Sequence, residues 1–182
     1  GRDVFARMTY GARVSLAVGF LATAIELGLG TMRGVFSGDR GGGVGLAAQQ
    51  VGRCESVCVI DVPADCEESE DVKAFNARVK MPLVMFNPVV ISKDGSQEGK
   101  EGCLSFPNMG GRVVRAEQVT CQYTDVSGRM QIITAKGFLA RAVQQETDHL
   151  NGILYVDLMS ATEKLALADK LQKLAKKNGG AL

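Results

Sequence analysis

Gln144-Gln145-Glu146-Thr147-Asp148-His149 reads as a metal-hydrolase helix in which one ligand has been exchanged. In the signature H-E-x-x-H, two histidines four residues apart lie on one helical face and hold a metal, while the glutamate beside the first handles the proton of a metal-bound water. Here the glutamate, Glu146, and the second histidine, His149, stand in place, and Gln145 occupies the position of the first. His149 is the single histidine of the chain, so no second imidazole is available to the same centre.

The surroundings make this stretch helical. Over residues 138–150, Leu139, Ala142, Val143 and Leu150 recur at helical spacing and Asn151-Gly152 supplies a stop. Upstream, residues 118–123 place Val119, Cys121 and Tyr123 on one face of a strand, and Asp125-Val126-Ser127-Gly128 turns the chain into a partner strand over 130–134. Strands are also expected over 56–62 and, bounded by prolines, over 82–88, with the acidic residues 65–71 as a solvated loop. Downstream, Ser160-Ala161-Thr162-Glu163 forms a capping box for a helix over 160–178. Its apolar stripe of Leu167, Ala168, Leu171, Leu174 and Ala175 should lie against the body. At the other end, Val14, Val18, Leu21, Ile25 and Leu29 predict a helix within residues 1–30, followed by a glycine-rich loop over 33–43. The pattern predicts a single α+β domain over residues 1–182.

Composition limits the function classes. The 182 residues carry 21 basic and 20 acidic side chains, a net charge of +1, without a long basic run, which argues against nucleic acid or a membrane surface as partner. The apolar run over 14–25 is short of the ~20 residues that span a bilayer, and reads as a packing helix or the remnant of a targeting segment. A chain starting at Gly1 rather than Met suggests a processed or trimmed start. Five cysteines, an odd number in a well-cored chain, fit a reducing compartment. Cys58 belongs to an apolar strand and is expected to pack, which leaves Cys54-x-x-x-Cys58 as ordinary cysteines.

Three motifs stand in order: Gly43-Val44-Gly45-Leu46-Ala47-Ala48-Gln49-Gln50, then Glu101-Gly102-Cys103-Leu104-Ser105, then residues 144–149. In these the chain resembles the peptide deformylases, whose signatures are G-x-G-L-A-A-x-Q, E-G-C-L-S and Q-H-E-x-D-H. The resemblance runs from about residue 31 through the C-terminal helix. It implies a peptide-deformylase-like α+β fold, with antiparallel β-sheets around a central motif-bearing helix and helices at both termini.

The resemblance also implies roles. Cys103 and His149 are metal ligands, with Gln145 where the family has its other histidine. Glu146 is the general acid and base. Gln50 and the backbone amide of Leu104 receive the developing oxyanion, and Gly45 lets the substrate backbone approach. One Fe(II), or Zn(II), Ni(II) or Co(II), is implied per chain, together with formyl-methionyl peptides as substrate and ribosome-associated nascent chains as their source. The setting is bacterial cytoplasm, mitochondrion or plastid. The chemistry suits these residue types: a thiolate and an imidazole bind a borderline metal, and a neighbouring carboxylate shuttles the proton. Gln145 departs from the pattern, because an amide oxygen is a weak donor suited to harder cations. A weakened or missing metal and reduced deformylase activity follow as the expectation. The alternatives are a non-catalytic domain that keeps the fold to bind peptides or a partner, and a metal-free cysteine hydrolase built on Cys103 and His149.

Overall fold

In a computed structural model of the chain, the described residues are 44–63, 66–67, 69–103, 106 and 109–177. The chain divides into two compact units, Gly1–Gly42 and Gly43–Leu182, and the second carries the three motifs. The helix expected within residues 1–30 and the glycine-rich loop over 33–43 lie outside the described residues.

Along the second unit the elements are β1 (Gly45–Ala47), a 3₁₀ turn (Ala48–Val51), β2 (Val57–Ile60), α1 (Glu70–Asn76), β3 (Leu83–Asp94), β4 (Gln97–Gly102), β5 (Gly110–Arg115), β6 (Gln118–Thr124), β7 (Met130–Lys136), α2 (Gly137–Leu150), a short α3 (Tyr155–Leu158) and α4 (Ala161–Lys177). Five strands form one antiparallel sheet in the order β1-β2-β3-β6-β7, and β4 pairs with β5 in a separate hairpin. This is the antiparallel α+β architecture that the motifs imply.

The hairpin of β6 and β7 forms as its alternation predicts, with Val119, Cys121 and Tyr123 buried on one side. That face packs on α2 through Leu139, Ala140, Ala142 and Val143, together with Ala47, Cys58, Ile60, Leu83 and Met85 from the earlier strands. Small residues at the contact bring the helix close to the sheet, so the backbone of β1 at Gly45 runs directly against the motif residue Glu146. Cys58 lies in this core, as expected of a packing cysteine.

Several expectations need correction. The strand bounded by prolines runs on through Pro88 to Asp94, because the register shifts between Phe86 and Val89, where Asn87 has a φ of 49°. A bulge leaves Pro88 outside the regular ladder, where its missing N–H does no harm. The acidic segment 65–71 is not merely a solvated loop: α1 starts at Glu70, and Glu67 is buried. The Glu67 carboxylate accepts the N–H groups of Phe138 and Leu139 at 3.1 and 3.0 Å, which have no helical partners at the start of α2, and its charge opposes the positive end of the helix. Asn76 steadies the carboxylate at 3.1 Å and pairs with the backbone of Lys136. Gly137, at a φ of 59°, leaves room for it, since a Cβ there would lie 2.7 Å from Oε2 of Glu67.

The last helix begins after Ser160, whose Oγ accepts the Glu163 N–H at 3.2 Å. The reciprocal half of the capping box is replaced, for Glu163 accepts the backbone N–H of Arg112 instead. Its stripe lies less firmly on the body than predicted. Leu167 packs beside Cys103, Val113, Tyr155 and Met159, but Leu171, Leu174 and Ala175 are only half-buried and Ala168 is exposed.

Candidate active site

Two elements that the sequence separates by 46 residues meet at one point. Cys103 follows β4, His149 sits in the last turn of α2, and the thiol sulfur lies 3.3 Å from the imidazole Nε2 in a buried contact. Two ligands of one tetrahedral centre sit about 3.5 Å apart, so the pair has the spacing that a shared metal requires. From the 3₁₀ turn after β1, Gln50 reaches the same sulfur: its Nε2 donates to Cys103 Sγ at 3.2 Å while its Oε1 accepts the Ala47 N–H at 2.8 Å. Because the oxygen is committed to a backbone donor, the amide presents N–H to the site.

Glu146 lies on the same helix and is buried, with Oε2 lacking a hydrogen-bond partner. Burial pushes its carboxyl up to about 8; the Cys103 thiol and Glu101 add to this, and His149 opposes it. A carboxyl with such a value can hold and release a proton near neutrality. The glycine of the first motif serves this side chain, since a Cβ at Gly45 would sit 2.6 Å from both Cγ and Cδ of Glu146.

Gln145 is half-buried, and its Nε2 donates to the carbonyl of Gly102 at 3.0 Å. Leu104 lies outside the described residues. Of the residues singled out from the sequence, Cys103, His149, Gln50, Gln145, Glu146 and Gly45 therefore gather around β1, the end of β4 and α2.

Beneath them lies a charged cluster to which the sequence reading assigned no role. Glu101 is buried and takes both Nε and Nη2 of Arg115 at 2.9 Å, a bidentate pair, while Arg141 from α2 donates to it at 3.1 Å. Arg115 also bonds Asp148, the neighbour of His149. Burial disfavours the Arg115 cation, yet the bonds and charges of Glu101 and Asp148 outweigh that and raise its pKa. Arg115 thus ties the strand that precedes Cys103 to the helix that carries His149. The available signal was Arg141 inside Phe138-Leu139-Ala140-Arg141-Ala142-Val143, a charge in an apolar run, which needs a buried partner.

Among the described residues, no group of three or more His, Cys, Asp or Glu side chains is arranged to hold a metal ion. The donor set fits a transition metal in two positions, a thiolate and an imidazole at the right separation, beside a buried carboxylate oxygen that lacks a partner.

The chain matches the family model described as polypeptide deformylase over residues 21–165. It is 40% identical over 134 residues to a peptide deformylase of Endomicrobium trichonymphae, with 74% of this chain and 72% of that protein covered. With a peptide deformylase of Helicobacter hepaticus it shares 38% identity over 136 residues, covering 75% and 71%. The crystal structure of a peptide deformylase from Legionella pneumophila is similar at a TM-score of 0.58 and 36% identity, over 77% of this chain and 75% of that one. One from Plasmodium falciparum is similar at a TM-score of 0.62 and 30% identity, over 74% and 73%.

Proposed function

This chain belongs to the peptide deformylase family, and on that premise we propose that it removes the formyl group from the N-terminal formyl-methionine of new polypeptides at a weakened metal site. The observation that carries the proposal is the buried approach of Cys103 Sγ to His149 Nε2 at 3.3 Å. The family is metal-dependent, and Cys103 and His149 are the residues that would hold the ion. Fe(II), Zn(II), Ni(II) and Co(II) all suit a thiolate and an imidazole. When bound, the ion supplies Lewis-acid polarisation of the formyl oxygen and acidifies a water molecule.

The chain's own residues do the rest. Glu146 accepts the proton of the attacking water and passes it to the leaving amine, a double duty suited to a carboxyl pushed up to about 8 by burial. Gln50 directs N–H toward the reacting centre, where the negative charge on the former formyl oxygen develops; a donor of this type lowers the barrier by about 3 kcal/mol. The backbone amide of Leu104 is assigned to the same oxyanion by family resemblance. The Gln145 position lowers metal affinity relative to a histidine, because one nitrogen donor is missing.

Formylated nascent chains arise in bacteria and in organelles descended from them, which makes bacterial cytoplasm, mitochondrion or plastid the proposed setting. Among the described residues no helix is long and apolar enough to cross a membrane. The test is the metal content of the purified chain together with turnover of a formyl-Met peptide. Metal well below one equivalent, turnover that rises with added Fe(II) or Co(II) and its loss to a chelator are expected. Turnover that resists chelators but is abolished by thiol alkylation would replace this reading with cysteine chemistry. Peptide binding without turnover at saturating metal would leave a binding domain.

A further inference from the structure

We infer that Gln145 is a strap rather than a metal ligand: its amide ties the motif helix to the carbonyl just before Cys103, and the ion is left with two protein donors. The inference deepens the metal reading above, on which it rests for the ion's place between Cys103 and His149.

The direction of the amide decides its role. Gln145 Nε2 donates to the Gly102 carbonyl at 3.0 Å, and only the nitrogen end of an amide can donate to a carbonyl oxygen, so the orientation is settled. The oxygen, the one atom of this side chain able to ligate, points along the other branch. It is not aimed into a dry cavity. Among the described residues the buried side-chain atoms without hydrogen-bond partners are Glu146 Oε2 and the Tyr155 hydroxyl, and the Gln145 bond lies at an exposed margin while the Cys103–His149 contact is buried. A hydrated amide oxygen is also a poor competitor with water for a borderline metal.

The strap has a positional effect. Gly102 is the last residue of β4 and the immediate neighbour of Cys103, while Gln145 is four residues from His149 on α2. The bond therefore fastens the backbone beside one ligand to the helix that carries the other. Cys103 and His149 are kept in register by two links, Arg115 beneath and Gln145 at the rim. With Gln145 engaged by Gly102, the residues that would hold an ion are Cys103 and His149.

The test is nuclear magnetic resonance on the full, isotope-labelled chain. In the metal-free protein a coupling across the hydrogen bond should connect Gln145 Nε2 with the Gly102 carbonyl carbon. On addition of one equivalent of Zn(II), the Cys103 Cβ and His149 ring-nitrogen signals should move, while the Gln145 Cδ signal stays and the coupling persists. A Gln145 Cδ signal that moves with those of Cys103 and His149, with loss of the coupling, would make the amide oxygen a ligand and overturn the inference. If Zn(II) moves neither Cys103 nor His149, the metal reading fails, and the coupling alone still decides whether the strap exists. As a second measurement, Gln145→Met keeps the length of the side chain and removes the donor. Alkylation of Cys103 in the metal-free variant should be about fivefold faster, the equilibrium factor of one ordinary hydrogen bond. An unchanged rate would show that the bond does not hold Cys103 in place.

Discussion

Glu146 combines two properties that seldom coexist in a structural residue, burial and an oxygen without a partner. If it moves the proton, Glu146→Gln lowers formyl-Met-peptide turnover at least about 100-fold at saturating metal and leaves the circular-dichroism spectrum unchanged, because an amide cannot accept the water proton. Its titration also has a sign. Burial lifts the carboxyl from 4.5 to about 8, so between these values the folded state holds a proton that the unfolded state has released. The stability tied to the neutral carboxyl is thus complete below about pH 4.5 and is lost as pH rises through about 8. Urea unfolding of the chelator-treated protein across this window should show that decline, and Glu146→Gln should flatten it. At the neighbouring position, Gln145→His puts an imidazole on the same face as His149, four residues away. Co(II) affinity and deformylase turnover should both rise at least about tenfold, the smallest effect expected of a gained ligand. Equal affinity and turnover in the two proteins would show that the original site is not impaired.

At the scale of elements, α2 owes its placement to both of its ends. The start is held by Glu67, reaching across from the segment before α1, and the other end carries His149 and Asp148 to the strand of Cys103. Removing the carboxylate leaves two amides without acceptors beside the positive end of the helix. Glu67→Ala should cost about 1 to 2 kcal/mol in urea unfolding and speed hydrogen exchange at Phe138 and Leu139. Exchange unchanged at those two amides would refute the cap. The hairpin of β6 and β7 and the body of α2 were readable from periodicity, because each buries one apolar face. The β4–β5 hairpin was not: Gln97-Glu98-Gly99-Lys100-Glu101-Gly102 has no apolar alternation, and its inward residue is a glutamate held by arginines.

Over the whole molecule the charged cluster acts as the joint between the small hairpin and the helix on the main sheet. Arg115→Leu takes the bidentate partner from buried Glu101, which keeps only its bond to Arg141, and removes the ion pair of Asp148. A loss of about 3 to 5 kcal/mol is expected from thermal or urea unfolding, as for other buried pairs broken on one side. A loss below about 1 kcal/mol, the level of an exposed pair, would mean that the cluster does not join the two sheets.

The ordered motifs, the helix that carries Gln145, Glu146 and His149, and the strand-turn-strand before it were legible in the chain of residues, since these depend on local periodicity and turn chemistry. The motifs also singled out Cys103, Gln50 and Gly45. The rest came from the packing of distant segments: that Cys103 and His149 come to 3.3 Å, that Glu67 caps a helix 70 residues later, and that the Gln145 amide faces Gly102. The reason is physical. A polar side chain has no periodic signature, and its role depends on which partner the packing of distant segments brings within hydrogen-bond reach and how much water that packing removes.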